Sequence, residues 1–566
     1  MNIDAARRLK PEVRGWLRHL WRKAMTPDDW SREGEPHPWW DKYSLAPMLS
    51  FPRFDLSESS YAFLPLVRKT PAWREVYTSI LDAMIRRHTT YWAAVDWLTQ
   101  IGPDPDRAKY PKAYKPLIPK DLWGQYDTPG WTANGIEPWG RQPDPIGSDG
   151  FLFFRGFFNL MLSIHREVSG EDTWERPFEM TGLDDRTFSW SHRQIAEFIS
   201  NQWSGVPDGP HCENTKVWPF CLSAAGLGMQ LADRTIGTET HWVYDRWVED
   251  RLNKKYIGRD PRGNLKWVAL YYDPLLDRVH GNHRAFGLAP SIYILPQNRA
   301  LGEELYRNAA ASIGWDKWYL PVIRPGSEPR SMTIALLMAR ELGDTTTARR
   351  LGAKMAKWEN SRYFDASDDA NDGDDEFGHF FGFGEKYPRG QESALYMLKD
   401  LLDGEGDWWR CFNEVDAEKF EAPTVTGAGY PKMGFSVAFN DHTTDSLYLE
   451  SYAASQSARG SANRFTVEKL PDSHIVKVRR DGAEYGAWRI VDPTTIEIDT
   501  DVGDHTFEIY TGFKNVGARA PSQAISSEAV PNRMTSTITV RRTSLIDLSG
   551  AIGAVKSGAV GCPCCA

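Results

Sequence analysis

The chain has 566 residues, six of them cysteine, and it carries a formal net charge of −9 at pH 7. This length supports more than one sizeable core, so the chain is not a small disulfide-held scaffold, and two domains are expected. The acidic balance disfavours a nucleic-acid partner, and the opening residues are charged throughout, unlike the apolar core of a signal peptide. We therefore expect a cytoplasmic protein with reduced thiols and no membrane span.

Apolar residues recur at spacings of three and four from about residue 10 to residue 405, as in "GFFNLMLSIHREVSG" and "SMTIALLMARELGD". This period indicates amphipathic helices. Many helices joined by long loops rich in Trp and Pro suit a toroid of paired helices whose loops form a pocket at one end. A helical bundle has the same period, so it stays open as an alternative. The expected unit is a mainly α domain over residues 1–420.

After "AEKFEAPTVTGAGYP", which ends at residue 431, the apolar period changes to two. Short alternating segments such as "RFTVEKL", "HTFEIYTGF" and "TSTITVRR" are separated by Gly, Asp and Pro, which is typical of strands joined by turns. We expect a smaller β-sandwich-like domain over residues 421–548. The last stretch, residues 549–566, reads as a flexible tail that contains three cysteines.

Two cysteines, Cys212 and Cys221, stand nine positions apart in "PHCENTKVWPFC". Each could be a small buried apolar residue, or the two thiols could move protons or attack carbon. A zinc site requires further Cys or His ligands at short spacing, and only His211 lies beside the pair. Nine residues bring two side chains to opposite faces of a straight helix, so convergence of the thiols requires a loop followed by a helix.

An acidic run, "DASDDANDGDDEFGH" at residues 365–379, invites comparison with a calcium-binding loop. Ala370 stands where that loop needs an oxygen ligand, and His379 stands where it needs a bidentate Glu, so the pattern favours a solvated loop and no metal site. The sequence contains no dinucleotide fingerprint, no Walker-type lysine loop and no G-x-S-x-G elbow. Nucleotide-dependent chemistry and the usual serine hydrolases are therefore disfavoured.

Several stretches, in the same order and spacing, resemble the linalool dehydratase-isomerase-like family. "RGFFNLMLSIHREVSG" is similar to that family's Lys-Gly-His-Leu-Asn-Leu-Met helix, and "HCENTKVWPFC" matches its two catalytic cysteines at the same separation. Later segments of the family resemble "LADRTIGTE", "LYYDPLLDRVHGNHRAFG", "LLMARELGD" and "KYPRGQESALYML". The resemblance covers roughly residues 20–405 and leaves out the expected β domain.

The resemblance implies an (α/α)6 barrel, that is, a helical toroid, and a lyase or isomerase for hydrophobic alkenols that needs neither a metal nor an organic cofactor. In that family paired cysteines, a histidine, an aspartate and tyrosines move protons so that a hydroxyl leaves as water. Cys212 and Cys221 occupy the cysteine positions here, and Asp41 and Tyr61 are the candidates that orient or protonate the hydroxyl. The family's ring assemblies imply a homo-oligomer.

Two positions depart from the family pattern, because Phe157 stands at its catalytic histidine and Phe286 at a pocket tyrosine. Phenylalanine can neither give nor take a proton, so linalool itself is not the expected substrate. We expect a small hydrophobic substrate, a terpenoid or polyketide-like alcohol of secondary metabolism. The side chains expected to contact it are mostly aromatic: Tyr43, Phe153, Phe157, Trp218, His283 and Phe286.

Three other functions stay open at this point. A natural-product cyclase or pericyclase would use the same apolar pocket through its shape alone. A carbohydrate-active lyase or glycoside hydrolase would need paired acids in a Trp-lined cleft, and Asp127, Asp149 and Asp273 are candidates for such a pair. A non-catalytic binding protein for an apolar ligand would share the pocket without the chemistry.

Overall fold

The computed structural model describes most of the chain before residue 514. The described residues are 7–25, 52–89, 136–137, 140–141, 144–147, 152–182, 186–212, 216–274, 277–323, 328–360, 380–381, 390–455 and 457–513. In the described part, no helix is long and apolar enough to cross a membrane.

Helices make up most of the described residues before residue 414. Their bounds are α1 Pro11–Met25, α2 Pro52–Ser59, α3 Phe63–Lys69, α4 Glu75–His88, α5 Leu152–Ser169, α6 His192–Gly205, α7 Pro219–Ile236, α8 Trp242–Trp247, α9 Leu288–Gln297, α10 Arg299–Ile313, α11 Pro329–Glu341, α12 Thr345–Met355, α13 Gly390–Tyr396, α14 Leu398–Leu401 and α15 Asp407–Asn413. A π-helical stretch, Val248–Tyr256, continues α8, and short 3-10 turns Ser60–Ala62 and Arg284–Gly287 precede α3 and α9.

Short antiparallel hairpins lie between the helices, and longer strands follow them. The strands are β1 Ile136–Glu137, β2 Gly140–Arg141, β3 Phe178–Thr181, β4 Thr187–Trp190, β5 Ile257–Arg259, β6 Leu265–Val268, β7 Tyr271–Asp273, β8 Arg278–His280, β9 Glu359–Asn360, β10 Phe380–Phe381, β11 Thr424–Thr426, β12 Met433–Asp441, β13 Ser446–Ala453, β14 Ala462–Glu468, β15 Lys477–Arg480, β16 Ala483–Glu484, β17 Trp488–Asp492, β18 Thr495–Asp501 and β19 Thr506–Tyr510.

Helices α5 and α7 pack closely against each other because small residues stand where they cross. A Cβ added to Gly156 would lie 2.8 Å from the Cβ of Ala225, and one added to Gly228 would lie 2.9 Å from the backbone nitrogen of Leu160. Neither glycine can therefore carry a side chain without moving a helix. This close approach sets the distance between the α5 face that bears Phe157 and the start of α7.

The strands after residue 423 form two antiparallel sheets, of four strands in the order β11-β14-β18-β17 and of five in the order β12-β13-β19-β15-β16. Phe465 of the first sheet packs edge-on against Phe435 and Phe507 of the second, at 5.4 and 5.2 Å between ring centroids. The sheets therefore share an apolar layer, as sandwiches do.

The helical part and the sheets share one hydrophobic core. The N–H of Ala72 donates to the carbonyl of Ala438 at 3.1 Å, and the N–H of Val425 donates back to the carbonyl of Ala72 at 2.8 Å. The next residue, Trp73, is buried and packs edge-on against Phe435 at 5.6 Å between ring centroids. The loop between α3 and α4 thus links the helices to both sheets.

Helices followed by a C-terminal sheet unit agree with the expectation from the sequence. The closed (α/α)6 arrangement and the domain limits 1–420, 421–548 and 549–566 stay predictions. The acidic run at residues 365–379, the expected strand "TSTITVRR" and the cysteine-containing tail lie outside the described residues.

Candidate active site

Cys212 and Cys221 are buried thiols on two consecutive pieces of local structure. Cys212 lies in the loop after α6, where its backbone N–H donates to the carbonyl of Lys216 at 2.8 Å. Val217 then pairs with Tyr272 of β7, α7 begins at Pro219, and Cys221 lies in its first turn. The two thiols therefore lie on a loop and on the helix that follows it, while their convergence stays a prediction.

The start of α7 gives Cys221 a favourable electrostatic position. The first N–H groups of a helix point outward and have no acceptor within the helix, so this end stabilises negative charge. Proline at the first position, Pro219, removes one N–H that would have had no such acceptor. This end of α7 therefore favours negative charge near Cys221, while burial of the thiol opposes it.

Phe157, on α5, is 1% exposed and lies inside a cage of aromatic rings. The ring centroid of Phe54 is 5.0 Å away, that of Phe220 is 5.6 Å away and that of Tyr293 is 5.7 Å away. Phe153, one turn earlier on α5, also contacts Phe54, at 6.4 Å. These side chains form an apolar wall, and Phe220 precedes Cys221 in the first turn of α7. Contact between the thiol and this wall stays a prediction.

A buried polar network adjoins this wall. Arg330 pairs with both carboxylate oxygens of Glu58, at 2.9 and 2.5 Å. The hydroxyl of Tyr293 donates to Glu58 at 3.2 Å and lies 3.3 Å from the hydroxyl of Tyr61. Burial raises the pKa of Tyr61 and of Tyr293 well above the usual range for tyrosine, and the nearby Glu58 raises both further.

A second cluster lies beside the Cys212 loop. Trp218 packs on the ring of Tyr271 at 4.8 Å between centroids, and Tyr271 stacks on His280 at 4.6 Å. The indole nitrogen of Trp218 and Nε2 of His280 are buried and have no hydrogen-bond partner within the described structure. Burial lowers the pKa of His280 and raises the pKa of Tyr271 to about 12, so at neutral pH the imidazole and the phenol are both uncharged.

His283 and Phe286 lie in the segment that leads into α9. The exposed imidazole of His283 accepts the N–H of Ala285 at 3.1 Å and so caps the short turn before the helix. Phe286 is half-buried against Gly281, whose φ of +76° suits a residue without a side chain. Contact of either residue with substrate stays a prediction.

Of five further residues that the sequence suggested for a site, the structure describes only one. Asp41, Tyr43, Asp127 and Asp149 lie outside the described residues. Asp273 is described, and its carboxylate is buried in an ion pair with Lys216 at 2.7 Å. The other two acids of the expected pair are not described, so the pairing that a carbohydrate-active enzyme needs stays a prediction.

The structure adds polar and aromatic residues that the sequence did not single out. Glu58 and Arg330 are 272 positions apart, and neither stands in a recognisable motif. The signal that could have drawn attention to Glu58 is its place in "RFDLSESSYAFLPL", where an acid interrupts a segment that is otherwise largely apolar or small. The further members of the group are Phe54, Phe220 and Tyr293.

One group of side chains within the described ranges has ligand atoms spaced closely enough for a metal: Asp82, His165 and Glu171. The Asp82 oxygen near His165, at 3.2 Å, also accepts the indole N–H of Trp174 at 2.8 Å. Local hydrogen bonding therefore explains why the group is assembled, and it provides no argument for a bound ion.

Comparison with known proteins adds one relationship. A family model described as linalool dehydratase/isomerase matches residues 119–366. This segment contains Phe157, Cys212, Cys221 and Tyr293, whereas α2 and the two sheets after residue 423 lie outside it. Among curated proteins, none matches the chain.

Proposed function

We propose that the protein is a lyase or isomerase for a hydrophobic terpenoid or polyketide-like alcohol in secondary metabolism. The basis is its membership of the linalool dehydratase/isomerase family, whose model matches residues 119–366. The reaction needs neither a metal nor an organic cofactor, and the helices close into an (α/α)6 toroid around the site. The observation that carries this proposal is the family match itself, because it spans both buried thiols.

Dehydration of such an alcohol requires three things of the site. An acid protonates the hydroxyl so that the C–O bond breaks and water leaves, and a base takes the proton of a neighbouring C–H as the alkene forms. Aromatic faces stabilise the positive charge that develops in between. In the proposed mechanism Cys212 and Cys221 move the protons, Tyr61 and Asp41 orient or protonate the hydroxyl, and the rings around Phe157 form the wall.

Phe157 supports a second candidate, a cyclase or pericyclase. This position carries the catalytic histidine in the family, and here it is an apolar ring within contact distance of three other aromatic rings. A site that folds a reactive polyene needs shape more than it needs proton donors. The thiols distinguish the two candidates, because only the lyase or isomerase depends on them.

The experiment uses the full chain and a panel of terpenoid and polyketide-like alcohols in water enriched in ¹⁸O, followed by gas chromatography with mass spectrometry. A lyase gives an alkene that is lighter by one water, and an isomerase that releases water and adds it back gives an isomeric alcohol that carries ¹⁸O, so both reactions give a mass signature. Cys212→Ala and Cys221→Ala should each abolish the signal, whereas Cys411→Ala, at another buried thiol, should keep it. Product formation that survives both site variants would favour the cyclase.

A further inference from the structure

The proposed function gives no role to the buried ion pair between Glu58 and Arg330. Glu58 is fully buried and Arg330 is 5% exposed, and the guanidinium contacts both carboxylate oxygens. Removing two charges from water generally costs more than their attraction returns, and apolar residues of similar size would often stabilise a core better. The pair therefore invites an explanation beyond packing.

Two tyrosines extend the ion pair into a chain of hydrogen bonds. The hydroxyl of Tyr293 lies 3.2 Å from Oε1 of Glu58, and the hydroxyl of Tyr61 lies 3.3 Å from that of Tyr293. Both tyrosines are buried completely. Since burial raises the pKa of each phenol well above its usual range, each hydroxyl keeps its single proton at neutral pH.

Counting protons gives the direction of this chain. A carboxylate that is paired with an arginine only accepts hydrogen bonds, so the proton of Tyr293 is committed to Glu58. The oxygen of Tyr293 can then only accept, and the proton of Tyr61 must point at it. The oxygen of Tyr61 keeps a lone pair and no further proton.

We propose that the Glu58–Arg330 pair fixes the hydrogen-bond direction of Tyr293 and Tyr61, so that Tyr61 meets the substrate hydroxyl as a hydrogen-bond acceptor. Glu58, Arg330 and Tyr293 are then positioning residues that act through Tyr61. The substrate contact rests on the proposed function, whereas the direction of the hydrogen bonds from Tyr61 to Glu58 is a property of the protein alone. Tyr61 thus orients the hydroxyl, and the proton that converts it to water comes from another group, for which the thiols are the candidates.

A purely structural role for the same residues makes a different prediction. The ion pair also ties α2 to the start of α11, so its disruption should destabilise the fold under either interpretation. Loss of the Tyr293 hydroxyl changes the hydrogen bonding of Tyr61 under either interpretation, since the two hydroxyls lie 3.3 Å apart. Only the proposal requires the phenol of Tyr61 to be the donor of that bond in the wild type. The ring contacts of residue 293 with Phe157 and Phe220 would persist in Tyr293→Phe.

Infrared spectroscopy of the full chain with ring-labelled tyrosine tests the direction without any ligand. The C–O stretching band of Tyr61 is isolated by subtracting the spectrum of the Tyr61→Phe counterpart of each protein. We expect the band of a donating phenol in the wild type, and its displacement in Tyr293→Phe. Tyr306→Phe is the matched control, because buried Tyr306 donates to Asp344 at 2.8 Å, and it should leave the band in place. An unmoved band in Tyr293→Phe would overturn the proposal.

Two ligands then test the acceptor role of Tyr61. Linalool can donate a hydrogen bond from its hydroxyl, whereas linalyl methyl ether cannot, so only the alcohol should shift the Tyr61 band of the wild type. An equal shift by the ether, or no shift by linalool at a concentration that raises the melting temperature of the protein, would contradict the acceptor role. For any alcohol that the protein converts, Tyr293→Phe should lower kcat/KM by about 3- to 10-fold, which corresponds to the usual contribution of one hydrogen bond. Tyr306→Phe should leave kcat/KM unchanged. If the Tyr61 band shifts in Tyr293→Phe but no alcohol is converted, the proposed function is wrong, while the proposed direction of the hydrogen bonds is retained.

Discussion

The ring of Phe157 packs edge-on against the ring of Tyr293, with 5.7 Å between the centroids and 86° between the planes. The resemblance places the family's catalytic histidine at the first of these residues, and the second carries the phenol that links Tyr61 to Glu58. The apolar wall and the buried polar chain therefore meet at this contact. An apolar ring lies on one side of it, while ionisable groups are held on the other.

Phe157→His should fail to produce linalool dehydration. The imidazole would enter a cage of aromatic rings, where an unsatisfied polar group costs about 1–3 kcal/mol, and burial would keep it neutral. Phe286, the second departure from the family pattern, would also be unchanged. The assay follows hydrocarbon formation from linalool by gas chromatography for the wild type and the variant together.

Robust turnover of linalool by the wild type would contradict the view that the chemistry has diverged. Removal of one catalytic acid typically lowers a rate by about 10²–10⁴-fold, so activity restored by the histidine would be easy to detect. Such a gain would mean that the rest of the family's site is intact. We expect neither the wild type nor Phe157→His to form hydrocarbon from linalool.

Cys212→Ala and Cys221→Ala should each remove most turnover of the true substrate while the fold survives. Both side chains are small and buried, so truncation removes little apolar surface, and we expect a loss of stability no greater than about 1–3 kcal/mol. Activity and melting temperature are measured in parallel with Cys411→Ala, which should lose stability alone. Two fully active site variants would exclude a thiol mechanism.

Much of the fold follows from the period of apolar residues, and the site follows from it less well. The period changes near residue 420, and the structure ends its last described α-helix at Asn413 and begins the C-terminal strands at Thr424. Period reveals which face of an element is buried, but it does not reveal which element covers that face. Glu58 and Arg330 meet only because α2 and α11 pack together, and no local pattern encodes that contact. The cysteine pair could be found because its two members stand only nine positions apart in one local segment.

Arg330→Met should destabilise the protein strongly, because it leaves the carboxylate of Glu58 buried without its cation. Breaking a buried pair from one side typically costs about 3–5 kcal/mol. Adding Glu58→Gln should recover part of this loss, since the uncompensated charge is then gone. Melting temperatures at one scan rate compare the single and double variants with Arg307→Met, which removes an exposed pair worth about 0.3–0.5 kcal/mol. A double variant less stable than Arg330→Met would argue against this account.

A protein that ends at Asn413 should keep its helical signal but associate. The cut removes both backbone partners of Ala72 and uncovers Trp73, which is 1% exposed in the full chain. An exposed apolar patch of this kind promotes aggregation. Far-UV circular dichroism and light scattering compare the shortened protein with the full chain. A collapsed helical signal in protein that stays monomeric would show that the helices depend on the sheets.

Stability should fall as the pH is lowered from about 6.5 towards 3, in part because of His192. Burial, together with the cations around it, lowers the pKa of this histidine from 6.5 to about 3, and its Nε2 lies 3.0 Å from the hydroxyl of Ser163. The unfolded chain binds a proton in this window and the folded chain does not, so the stability present above pH 6.5 is lost progressively on acidification. His192→Gln removes the titration, and its melting temperature should approach that of the wild type as the pH falls. His474→Gln, at an exposed histidine, is the control and should run parallel to the wild type. A constant gap between the wild type and His192→Gln from pH 7 to pH 4 would rule out His192 as the source of acid sensitivity.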